Sequence, residues 1–145
     1  MSTSREDSRA ALKALLTTAL VGTGLPVKTV TDSKVKTLNG LTPLVSILSA
    51  GTLRERATFM GDIPTFELEV QVWVRQADTG WTNAQAEDAL DDIESRIAQV
   101  YEDNRGGSGF SSLQYADTSI VMEVSVGGKP FYLERIPTIA KLARS

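Results

Sequence analysis

Cysteine and histidine are both absent from the 145 residues. Without cysteine there is no disulfide, no thiolate metal ligand and no sulfur nucleophile. Without histidine the usual general base at neutral pH is missing as well. Most hydrolase chemistries are thereby excluded, and any catalysis would have to run on carboxylates, lysine, tyrosine or a serine–lysine pair. The chain also lacks an apolar run near the ~20 residues of a membrane span. Its beginning, M-S-T-S-R-E-D-S-R, has charges of both signs and none of the apolar stretch of a secretory signal, so the protein is expected to act where it is made. No basic stripe is visible, and a net charge of −3 argues against broad nucleic-acid binding, which needs clustered lysine and arginine.

What is present is ordinary globular material, 41% hydrophobic and 23% charged. A chain of this length buries roughly 68–70% of its unfolded surface, enough for a single domain over 1–145. The clearest element is F-E-L-E-V-Q-V-W-V-R at 66–75. Phe66, Leu68, Val70, Val72 and Val74 fall on one face and Glu67, Glu69, Gln71, Trp73 and Arg75 on the other, the alternation of a half-buried strand in an antiparallel sheet.

Two helices are expected. One runs over about 5–21 behind Glu6 and Asp7, with Leu12, Leu15, Leu16, Ala19 and Leu20 at helical spacing, and Gly22 and Gly24 end it. The other opens on the capping box Thr82–Gln85, and Ala86, Ala89, Leu90, Ile93, Ile97, Val100 and Tyr101 form its apolar stripe over 83–103. Val27–Thr31 reads as a short edge strand, and Leu44–Ser49, apolar on both faces behind Pro43, as a central one. Asn39-Gly40 and Ala77–Gly80 read as turns. The stretch between Gly51 and Gly61 is either a long hairpin tip or a loop bridging two strands. Asn104–Gly109 lacks the lysine and spacing of a phosphate-binding loop. A final hairpin turns at Gly127-Gly128, and Pro137 is expected to break the returning strand or to place it at an edge. The result is an α+β domain: a mostly antiparallel sheet with two amphipathic helices packed on one face, and Leu16, Val70, Val72, Leu90 and Ile93 in the core.

Candidate functional residues are few. Asp88, Asp91, Asp92 and Glu94 sit on a helix surface without the turning loop that wraps oxygen ligands around a cation, so a solvated helix face is the expected role. Glu67, Glu69 and Glu123, the possible paired carboxylates of an enzyme, fall on the wet sheet face, away from any closed pocket that would tune them. Neither a cofactor nor a metal is expected. Trp73 on that polar face is to be covered either by another chain or by its own neighbours. Arg54, Arg56 and Phe59, in a stretch mixing arginine with leucine and phenylalanine, are solubilising residues or a docking element. Charge is uneven: 83–104 holds seven acidic residues and one basic, whereas 129–145 holds Lys129, Arg135, Lys141 and Arg144 against Glu134. A head-to-tail contact between identical copies would pair these surfaces and close a ring.

In the order of its elements the chain resembles the tail terminator proteins of long-tailed phages, the minor tail protein U-like family. The residues that carry the resemblance are L-T-P-L-V-S-I-L-S-A-G at 41–51, F-E-L-E-V-Q-V-W-V-R at 66–75, D-I-E-S-R-I-A-Q-V-Y at 92–101 and T-S-I-V-M-E-V-S-V at 118–126. The resemblance covers most of the chain as a pattern of elements and contains no signature motif. It implies a non-enzymatic hexameric ring in the tail or neck of a virion, assembled in the host cytoplasm, that caps the tail tube protein and presents a surface to the head-joining protein. Trp73, Arg54, Arg56 and Phe59 are then interface candidates. The chain departs from the pattern where it continues past Val126 into Y-L-E-R-I-P-T-I-A-K-L, an extra strand that would also suit a neck or head–tail joining protein. From other classes, a small carboxylate- or metal-dependent hydrolase and a module that binds a peptide strand at an open sheet edge remain as alternatives.

Overall fold

The computed structural model describes residues 4–33, 42–58, 61–76, 82–104 and 110–142. Among these residues two helices and six strands follow in the order α1 (Arg5–Leu20), β1 (Thr29–Thr31), β2 (Leu44–Thr58), β3 (Gly61–Arg75), α2 (Asn83–Asp103), β4 (Phe110–Tyr115), β5 (Ile120–Val126) and β6 (Lys129–Leu142). The fold is α+β, as expected. Both helices begin in reciprocal capping boxes. Ser4 Oγ accepts from the Asp7 amide while the Asp7 carboxylate accepts from the Ser4 amide, and Thr82 and Gln85 do the same for α2.

One sheet holds every strand, in the order β1-β2-β3-β6-β4, with β5 also paired to β6. Among these six strands only β1 and β2 run parallel; the other strand pairings are antiparallel. The alternation in β3 decides which side is covered. Phe66, Leu68, Val70, Val72 and Val74 are all buried, and the last four pack in one core with Leu12, Leu16 and Leu20 of α1 and Ala86, Leu90, Ile93, Ile97 and Tyr101 of α2. Each such side chain contributes about 1.5–3 kcal/mol on leaving water. Leu16, Val70, Val72, Leu90 and Ile93 lie in this core as the periodicity requires. Tyr101 ties α2 to the sheet by a 2.8 Å hydrogen bond to Thr138 Oγ1. The threonine hydroxyl itself donates to the Ile136 carbonyl, so the phenol is the donor. Burial pushes the Tyr101 phenol well above its ordinary range, and it stays neutral.

One open alternative is decided and two expectations are revised. Of the two readings for the stretch after Gly51, the long hairpin end is the one found: β2 and β3 are each fifteen residues long and pair as one hairpin from Leu44–Trp73 out to Thr58–Gly61. The strand after Gly127-Gly128 is no appendage. β6 lies between β3 on one side and β5 and β4 on the other, so the continuation past Val126 supplies a central strand. Pro137 stands inside β6, opposite Glu69, rather than breaking it or marking an edge. Its carbonyl accepts from Ala116 N at 2.8 Å, so its ring nitrogen faces the same way, toward the step where β5 has ended at Arg135 and β4 begins at Thr138. The β4 register runs one step further to Ala116 opposite Pro137, where only the bond to the Pro137 carbonyl is made, and the residue without an N–H falls where β6 passes from one short partner to the other. β4 itself had no sequence reading. The turns at Asn39-Gly40 and Ala77–Gly80 and most of the Asn104–Gly109 loop lie outside the described residues.

Candidate functional site

Trp73 lies on the sheet face opposite the helices, paired with Leu44 on one side and Leu133 on the other. Phe131 meets its indole edge-on at 6.5 Å and 78°, a geometry that lets a positive ring edge meet a negative face. Leu44, Val124 and Val126 complete a small apolar cluster around the half-buried ring. Its own chain therefore supplies much of the cover for Trp73. The indole Nε1 is buried and has no hydrogen-bond partner among the described residues.

Arg54 is far from Trp73. It stands about ten residues along β2 from Leu44, on the order of 30 Å at strand rise, with its guanidinium 5.9 Å from the centroid of the Phe66 ring. Arg56 follows in the same strand, its backbone opposite Asp62; its side chain and the whole of Phe59 lie outside the described residues. The four sequence candidates thus do not form one site. Trp73 marks the base of hairpin β2–β3, whereas Arg54 and Arg56 belong to its far end. That far end is a two-stranded ribbon, because β6 meets β3 only from Phe66 onward and β1 meets β2 only as far as Ser46.

The carboxylates are dispersed too. Glu67 and Glu69 share the face of Trp73, but Glu123 sits opposite Tyr132 and so on the helix-bearing face, contrary to the expected common wet face. Partial burial pushes the Glu69 carboxyl up. Hydrogen bonds from Arg135 (2.7 Å) and Gln71 (2.6 Å), with the Arg135 charge, outweigh that and leave it lowered. On α2, Asp92 pairs with Arg96 at 3.0 Å and Glu94 accepts from the Tyr115 hydroxyl at 3.2 Å. Among the described residues no group of three or more carboxylates converges as metal ligands would, and no helix is long and apolar enough to cross a membrane.

Sequence reasoning overlooked Glu134. It is only 4% exposed, on the helix-bearing side between Tyr132 and Ile136, and accepts from Ser119 Oγ at 2.7 Å. Burial raises its carboxyl above the ordinary range; the Ser119 bond opposes this, and the nearby Glu94 and Asp91 add to it. The signal was in the register: Tyr132, Glu134, Ile136 and Thr138 occupy alternate positions of one strand, and three of the four are non-ionic and inward-facing.

The large apolar side chains left in water are also informative. Among the described residues these are Leu53 (53% exposed) on the ribbon, and Ile120 (56%) and Val121 (55%) on β5. β5 pairs only with β6, so its other edge is open among the described residues. Charge is segregated as well: Glu87, Asp88, Asp91 and Asp92 are exposed on α2, while register puts Arg135 and Lys141 on the opposite sheet face, Arg135 already engaged by Glu69. Arg144 lies outside the described residues.

No protein-family model matches the chain, and no curated protein matches it in sequence. Among solved structures it is similar to a chain from the virion of a native gene transfer agent particle, with a TM-score of 0.43 and 15% identity over 96% of this chain and 91% of that one.

Proposed function

We propose that this protein is a structural component of a phage-like virion, a tail-terminator-type subunit whose copies form a hexameric ring on the end of the tail tube and offer a surface to the head-joining protein. Its work is geometric and involves no substrate turnover. The observation that carries this reading is where the exposed apolar residues fall: on an open edge strand (Ile120, Val121) and on a projecting ribbon (Leu53), two different surfaces of one sheet. A protein that acts alone usually protects such edges. Two unlike adhesive surfaces suit head-to-tail contacts, which close into rings when the rotation permits.

Negative-stain microscopy of the purified protein, alone and with isolated tail tubes, tests the reading. Annular particles of tube diameter, or caps on tube ends, are the expected result. Binding to head connectors but not to tubes would reassign the protein to the neck. A turnover reaction abolished by a single substitution at Glu67, Glu69, Glu123 or Glu134 would overturn the structural role.

A further inference from the structure

The open edges of the sheet differ in what they can accept. β1 offers three residues, and β4 has a register irregularity between Phe110 and Ser112. The free edge of β3 at Gly61–Thr65 contains Pro64, which has no N–H to give. β5 is different: its seven residues run in unbroken register with β6, without the proline, lysine or bulge that commonly guards an edge. Along the ribbon, Thr52–Arg56 of β2 also keeps unbroken register with β3, and no described strand lies on its outer side.

A symmetric meeting of two β5 strands is disfavoured. Antiparallel pairing about the middle of Ile120–Val126 sets Glu123 directly against Glu123 of the second copy, like charge on like charge. The ribbon edge carries the complementary sign at its centre. We infer that β5 of one copy pairs antiparallel with the Thr52–Arg56 edge of the next copy, with Glu123 opposite Arg54. In that register Val124 falls opposite the exposed Leu53, Ser125 opposite Thr52 and Val121 opposite Arg56. One apolar pair forms, Val124 with Leu53, the carboxylate of β5 meets a guanidinium, Met122 and Val121 fall opposite Glu55 and Arg56, and main-chain bonds satisfy both edges. Donor and acceptor edges are separate surfaces, so the contact passes from copy to copy. The inference rests on the ring reading above and names its subunit contact.

The absence of native cysteine makes a direct test clean. Thr52→Cys and Ser125→Cys, both at exposed positions, are prepared singly and together on one chain and exposed to a mild oxidant. Facing residues of an antiparallel pair have Cα atoms about 4.5–5.5 Å apart, within disulfide reach. The expected result is a covalent dimer from the mixture of the two single variants and a ladder of multimers from the combined one, with neither single variant cross-linking alone. Arg54→Glu and Glu123→Arg each suppress the cross-link, and their combination restores it, with circular dichroism confirming that every variant folds. A dimer from Ser125→Cys alone overturns the inference in favour of a two-fold contact. Annular particles without the Thr52–Ser125 cross-link overturn it while leaving the ring reading intact. Neither rings nor cross-links at the highest soluble concentration removes both.

Discussion

Hairpin β2–β3 is continuous in its pairing yet consists of two regions with different surroundings. From Leu44 to Ile47 every side chain is buried, with β1 alongside, α1 above one face and Leu44 within the Trp73 cluster on the other. From Thr52 onward the strand has β3 as its one described neighbour, and Thr52, Leu53 and Arg54 are exposed. The β2–β3 ladder runs through both regions, with a register shift between Ser49 and Gly51, but only the inner one is also bonded to β1. The difference lies in what flanks and covers them, so the inner region supplies stability and the outer one is available for contact.

The largest effect that probes this contrast is expected at the inner end. Ile47→Ala removes a fully buried side chain under α1 and should cost about 2–5 kcal/mol in denaturant unfolding; a loss near zero would show that the inner region is not the stabilising one. Next comes Tyr101→Phe, which deletes the phenol donor and leaves Thr138 short of one bond beneath the inner hairpin. A loss of about 1 kcal/mol is expected by the same measurement.

Glu134 gives a pH-dependent test. Its carboxyl is raised in the folded state, so between its unfolded and folded pKa the native protein holds more protons than the unfolded chain, and stability falls as pH rises through that window. Glu134→Gln keeps an acceptor for Ser119 and should flatten this slope, leaving the protein more stable at neutral pH than the parent. Urea titrations across the acidic and neutral range check it, and an unchanged slope would locate the linkage elsewhere. The smallest effect on stability is expected at the outer end. Leu53→Thr should shift unfolding by no more than about 0.5 kcal/mol while weakening self-association in sedimentation; the reverse pattern would erase the distinction between the two regions.

The inner region was readable from sequence because its physics is local. Strict alternation over Phe66–Arg75, the helical spacing of leucines over 5–21 and the capping box at Thr82 each require only a few nearby residues, and the core positions Val72, Leu16 and Ile93 follow from them. The outer region depends on partners distant in sequence. Nothing near Arg54 states that β6 stops short of it, and Trp73 is half covered because Phe131 and Val124 arrive from the far end of the chain. Glu123 was assigned the wrong face because the face of a strand is fixed only by its neighbour's register, here Tyr132. Glu134 escaped notice because a glutamate in a strand reads as outward unless its i±2 companions are weighed. The interface candidates Arg54 and Arg56 share the ribbon, but Trp73 was grouped with them on chemical character alone.

Pro137 has a further consequence. A ring nitrogen without hydrogen leaves a silent position along β6, and the two short strands beside it fall on either side of that silence. Sliding β4 or β5 toward it along β6 by two residues, the smallest shift that preserves inside and outside, would ask the silent position for a bond it lacks. A single imino acid thus acts as punctuation, holding each neighbour to its own stretch of the line.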